Sequence, residues 1–151
     1  MTSLETPALD TPLAAVSAEL YFQIQQFYSV QMRLLDTGQA EAWADTFTED
    51  GVFHQSVAPA LRGRHDIAVA ARRRIDQLVT EGRTRRHWFG MLEVHLEDDG
   101  VVGTSYYGIA MATPAGGQLQ IYASTEATDS LVFADGRWLV RHRWVSHDAT
   151  V

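Results

Sequence analysis

The sequence contains no cysteine, no lysine and no asparagine. Lack of cysteine excludes a thiolate nucleophile, a disulfide and any sulfur-ligated metal. Lack of lysine closes Schiff-base chemistry on a side-chain amine. Lack of asparagine removes one common amide for orienting a substrate carbonyl. Long apolar runs are missing too: no stretch approaches the roughly 18 residues needed to span a bilayer. The start, Met1-Thr2-Ser3-Leu4-Glu5, has neither the basic nor the apolar part of a signal peptide. A cytoplasmic protein without a membrane partner is therefore expected. Basic charge is scarce: 12 arginines face 19 acidic residues, a formal net charge of -7, which disfavours a nucleic-acid partner. Arginines do crowd between Arg62 and Arg86. Without interleaved aromatics, that stretch reads as a solvated, partly salt-bridged helix face.

What is present fits one soluble domain. The 151 residues are 46% hydrophobic and 21% charged, an ordinary globular balance. Residues 1–12, with Pro7 and Pro12, read as a flexible arm, and 13–151 as a single domain. Thr11-Pro12 has the form of a helix entrance. Leu20, Ile24, Phe27 or Tyr28, Gln31 or Met32, and Leu35 then recur at helical spacing up to the stop at Gly38. A short helix over Glu41 to Phe47, a strand near Val52 to Ser56 and a third helix from Arg64 to Thr80 follow. Extended runs then cover Arg86 to Leu96, Val101 to Thr113, Gln118 to Phe133 and Arg137 to His147. Asp98-Asp99-Gly100, Pro114 to Gly117, and Ala134-Asp135-Gly136 separate them as hairpin turns. Helices first and a four-stranded antiparallel meander second is an α+β plan: a curved sheet with three helices on one face.

A curled sheet closed by a helix leaves a conical cavity suited to a small ligand. Six histidines compete to face it, and none forms a metal-ligand motif, so no metal is expected. His65, His95, His142 and His147 read as surface or packing residues. His87, in Arg86-His87-Trp88-Phe89-Gly90, opens a strand where its side chain can face the concave side. Asp36 ends the long helix at the negative end of the helix dipole, a poor place for a carboxylate unless a partner holds it. An imidazole is the partner that also permits proton transfer near neutral pH. A plain Asp-Thr-Gly helix exit is the competing reading.

Gln26-Phe27-Tyr28, Arg33 to Trp43 (Arg33-Leu34-Leu35-Asp36-Thr37-Gly38-Gln39-Ala40-Glu41-Ala42-Trp43) and Phe47-Thr48-Glu49-Asp50-Gly51-Val52-Phe53 resemble the opening of SnoaL-like proteins of the nuclear transport factor 2 superfamily. Leu61-Arg62-Gly63, Arg86-His87 and Asp135-Gly136-Arg137-Trp138 continue the likeness in order. The resemblance implies the cone-shaped sheet, a homodimer, and a cofactor-independent enzyme. Scytalone dehydratase and bile acid dehydratases carry an aspartate near the end of the first helix and a histidine on the third strand, and Asp36 and His87 fall on those places. By the same carry-over Gln55, Phe89 and Thr125 take pocket positions, while Met111 or Ala112, and Ala127, stand where scytalone dehydratase has a histidine and an asparagine. Many SnoaL-like proteins resemble enzymes of aromatic polyketide pathways. The expected substrate is thus a fused-ring ketone, dehydrated or closed to a pyran by the Asp36 and His87 pair. Tyr28, Met32, Phe53, Phe89, Tyr106 and Trp144 would contact it, with Tyr28, Tyr106 or Gln55 as oxyanion donor. Two other classes share the fold signal: the non-catalytic small subunit of a ring-hydroxylating dioxygenase, and a small-ligand carrier.

Overall fold

A computed structural model of the chain describes residues 16–149. The expected arm and the Thr11-Pro12 entrance lie outside them. Helix α1 spans Ala18–Asp36, and its first turn is capped by Ser17, whose side chain accepts from the Leu20 N–H at 3.1 Å. Such a cap contributes about 1 kcal/mol. Its buried positions are Ile24, Tyr28 and Gln31, the spacing of one helical face. Gly38 ends it at φ 81, a conformation that costs an L side chain strain. Helix α2 covers only Ala40–Ala44. Phe47, expected at its end, instead begins strand β1, Phe47–Gln55.

Strand β2, Ala58–Arg62, is hidden from sequence reasoning by Pro59 and by its short length. It pairs only with β1, at the sheet edge where a missing proline donor is tolerated. Helix α3, Arg64–Thr80, buries Ile67, Ala71, Ile75 and Leu78. Strands β3 (Arg83–Leu96), β4 (Val102–Pro114), β5 (Gln120–Ala134) and β6 (Arg137–His147) form the antiparallel meander. The tight β5–β6 link places Asp135 at φ 53 and Gly136 at φ 76, as a hairpin turn of the primed kind requires.

The sheet order is β2-β1-β6-β5-β4-β3, with β1 parallel to β6. The result is a six-stranded mixed sheet, curved and unclosed, wider than the expected meander by one hairpin. Irregular pairing in β1, β3, β4 and β5 bends the strands, as between Gly90 and Glu93, where Met91 takes φ 54. The helices lie on one face. There Ile24, Tyr28, Trp43, Phe47, Ile67, Ala127, Leu131 and Val140 make a continuous core. Among the described residues no helix is long and apolar enough to cross a membrane.

Candidate active site

Curvature keeps the far end of the sheet away from the helices, and a cavity of about 410 Å³ opens between them. Its size falls within the range of small-molecule sites. Strand β3 starts three residues earlier than expected, so its inward face carries Arg85, His87 and Phe89 in succession, all bordering the cavity.

Asp36, the last residue of α1, reaches this strand. One carboxylate oxygen, Oδ1, lies 2.6 Å from His87 Nδ1, and the other, Oδ2, accepts from the His87 backbone N–H at 2.8 Å. Two donors thus offset the repulsion of the helix C-terminus. The Asp36 side chain is only 9% exposed and that of His87 23%, so the carboxylate is sheltered behind an imidazole that touches the cavity. A carboxylate only accepts, and Nδ1 therefore carries the proton. In the neutral ring the lone pair then sits on Nε2, which has no protein partner among the described residues.

Of the residues expected around the ligand, Met32, Phe53, Gln55, Phe89, Tyr106 and Thr125 border the cavity. Tyr28 and Trp144 do not. Tyr28 is fully buried behind the wall, its ring centroid 5.2 Å from that of Phe89. Its hydroxyl donates to Asp129 Oδ2 at 2.7 Å and pairs with Thr104 Oγ1. Trp144 stands on the opposite sheet face against His54, with ring centroids 3.9 Å apart, because strand alternation turns Arg143 and Val145 inward and Trp144 outward. Tyr106 reaches the wall, yet its hydroxyl proton also goes to Asp129, at 3.2 Å. Both tyrosines expected as oxyanion donors have thus committed their only proton. Gln55 Oε1 lies 3.3 Å from His147 Nε2, and Thr125 donates to the Gly108 carbonyl at 3.0 Å. His147, expected to be a surface or packing residue, borders the cavity as well.

Beneath one wall lies a buried polar network absent from the sequence-based expectations. Arg143 Nη2 donates to Asp129 Oδ2 at 2.8 Å and to Gln31 Oε1 at 2.6 Å, and Nε adds a bond to Asp129 Oδ1 at 3.0 Å. Gln31 in turn donates to Thr46 at 2.7 Å. Burial opposes the charge on Arg143, but Asp129 and the two phenols outweigh it, so the guanidinium is held above its usual range. Burial, reinforced by Asp129, pushes the Tyr28 hydroxyl well above its usual value. Burial does the same for Tyr106, and the opposing pull of Arg143 leaves it raised, with Asp129 adding to the rise. Both phenols are therefore donors at neutral pH. The signal available in the sequence is Gln31, a polar residue at a core position of an otherwise apolar helical face. Among the described residues no group of three or more histidine or acidic side chains is close enough to hold a metal.

A family model for the SnoaL-like domain matches residues 16–144, and the chain belongs to this family. Aln2 from a Streptomyces species is 33% identical with a TM-score of 0.82, covering 88% of this chain and 94% of its own. ActVI-ORFA from Streptomyces coelicolor is 31% identical at the same TM-score of 0.82, covering 89% and 99%. A Catenulispora acidiphila protein in complex with S-DNPA is 38% identical with a TM-score of 0.75, covering 87% and 96%. Below 25% identity the likeness is of fold alone. It extends to an NTF2-like protein with a cystatin-like fold and to the β subunit of a protein assigned as an aromatic-ring-hydroxylating dioxygenase, both from Novosphingobium aromaticivorans. No curated protein matches the sequence.

Proposed function

We propose that this protein is a cofactor-independent acid–base enzyme that dehydrates a fused-ring ketone of the aromatic polyketide type or closes it to a pyran. The observation that carries the proposal is the two-point hold of Asp36 on His87, which fixes the ring and leaves Nε2 as a base at the cavity wall. Nε2 takes the acidic proton beside the substrate carbonyl, and the resulting imidazolium, stabilised by Asp36, returns a proton to the departing β-hydroxyl as water leaves. In the opposite sense, an internal hydroxyl gives its proton to Nε2 while its oxygen adds to the enone, and the imidazolium protonates the adjacent carbon. Positioned proton transfer of this kind is worth about 10² to 10⁴ in rate.

Phe53, Phe89 and Trp43 give the cavity aromatic faces for a flat ring system. With both tyrosines committed, Gln55, which borders the cavity, is the remaining expected donor to the developing oxyanion. The complex of the Catenulispora protein with S-DNPA supports a small-molecule ligand in this family. The chain acts as a cytoplasmic homodimer, joined through the sheet face that turns away from the cavity, where Tyr107 and Trp144 are exposed. Sedimentation at a two-fold mass tests the dimer.

The deciding experiment is turnover of a β-hydroxy ketone of this class by wild type, His87→Ala and Asp36→Asn. Loss of about 10² to 10⁴ in kcat for His87→Ala is expected, with a smaller loss for Asp36→Asn. Undiminished turnover in His87→Ala sinks the mechanism. Ligand binding without turnover in the wild type would favour a carrier, and purification only with a larger chain a dioxygenase subunit.

A further inference from the structure

We propose that His147 is a positioning residue of the active site: it holds the Gln55 amide by its oxygen and so turns the amino group toward the developing oxyanion. This deepens the acid–base reading and rests on it for the oxyanion. Gln55 closes β1, and its parallel register beside Val145 places His147 two residues further along the same inward face of β6. Both side chains border the cavity, and His147 Nε2 lies 3.3 Å from Gln55 Oε1.

The end of β6 is fixed from both sides. The His147 backbone N–H donates to Ser56 Oγ at 2.9 Å, and the Ser56 N–H to the Val145 carbonyl at 2.9 Å. On the other flank the Asp148 N–H donates to the Ser124 carbonyl at 2.9 Å. Strand register therefore delivers the imidazole to the amide.

An amide has one acceptor oxygen and two donor protons, and an imidazole N–H answers only the oxygen. In its neutral form His147 then carries its proton on Nε2, the reverse of His87, which carries it on Nδ1. With the oxygen taken, Gln55 presents its amino group, which has no protein partner among the described residues. A free amide could also turn its oxygen toward the oxyanion, a repulsive contact that the hold removes in advance. One row of the sheet links the two ends of the site: Thr125 stands beside His147, Gly108 beside Thr125, and Phe89 beside Gly108. A Cβ on Gly108 would meet Thr125 Oγ1 at 2.9 Å. The row thus stays low in its middle, and a flat ring lies across it between the amide and His87.

Two measurements test this. Imidazole nitrogen NMR of the wild type at about pH 9, where histidines are neutral, should show His147 protonated on Nε2; protonation on Nδ1 overturns the proposal. Turnover is read with 3-hydroxy-1-tetralone, which loses water to give 1-naphthol. Gln55→Leu should lower kcat by about 10² to 10³. His147→Leu should lower it about three- to ten-fold, the worth of one neutral hydrogen bond, with KM unchanged. Placed on Gln55→Leu, the same change should cost nothing more, because the hold has lost its object. An unchanged kcat in His147→Leu, a loss confined to KM, or an equal loss in the Gln55→Leu background overturns the proposal. Undiminished turnover in His87→Ala would instead defeat the acid–base reading, while the NMR result would still decide whether His147 holds the amide.

Discussion

Two polar clusters meet the same cavity and are built on opposite terms. Around Asp129, the buried charges and both phenols are answered from within the chain: Arg143, Tyr28, Tyr106, Gln31 and Thr104 close on one another. Around His87 the accounting stays open, with Nε2 lacking a partner and Arg85 leaving two buried nitrogens unanswered. A satisfied buried network rigidifies and specifies a fold, whereas the His87 ring, held in place with Nε2 unanswered at the cavity wall, is available to a ligand. The difference teaches that burial and charge alone do not mark a site; the unfilled hydrogen-bond capacity does.

The sharpest way to break this contrast is to cut one member from each cluster and measure both activity and stability. His87→Ala should lower kcat by about 10² to 10⁴ while costing only about 1–2 kcal/mol of stability, since Asp36 loses the ring but keeps the backbone N–H of residue 87. Arg143→Met should do the reverse. It strands the Asp129 carboxylate in the core with only neutral donors, and removal of one partner from a buried ion pair costs about 3–5 kcal/mol. Urea denaturation checks it, and a loss under about 1 kcal/mol would remove the structural role assigned to that network.

A smaller effect appears with alkali. Tyr28 and Tyr106 titrate above their usual value near 10 because they are buried and face Asp129. As pH rises past about 10 the unfolded chain releases these protons while the folded chain keeps them. The unfolded state then binds fewer protons, and stability falls by about 1.4 kcal/mol per pH unit for each phenol. The contribution is fully present below about pH 10 and is lost toward the raised folded values. Tyr106→Phe should make the alkaline fall of Tm shallower, whereas His87→Ala should leave its slope unchanged.

How legible these clusters are in the sequence follows from the same contrast. Periodicity exposes α1, α3 and the four long strands, since each buries one face. Asp36 and His87 stand out because a carboxylate at a helix C-terminus is locally unfavourable and an imidazole on an inward strand face can answer it. Strand β2 escapes because Pro59 and five residues give no pattern. Asp129 and Arg143 lie 14 residues apart on paired strands, and their union depends on the β5–β6 register, which composition does not fix. The aromatic character of Tyr28 points to the ligand, but the charge behind the wall, invisible in a linear pattern, claims its hydroxyl. Arg85 reads in sequence as part of a solvated helix face; the strand begins earlier, and period-two alternation carries it inward with His87.

The finest test of the contrast compares two arginines on one cavity wall by the same substitution. Arg143→Met removes half of a satisfied pair. Arg85→Met removes a cation that has no partner, and methionine keeps much of the apolar stem that packs beneath it. Replacing an uncompensated buried charge by an apolar side chain relieves a desolvation cost, so Arg85→Met should leave stability within about 1 kcal/mol of wild type or raise it. Thermal denaturation without ligand reads the sign. A destabilisation as large as that of Arg143→Met would mean that Arg85 is held by the fold itself, and the distinction between the closed cluster and the open one would fail at the residue where it is most exposed to test.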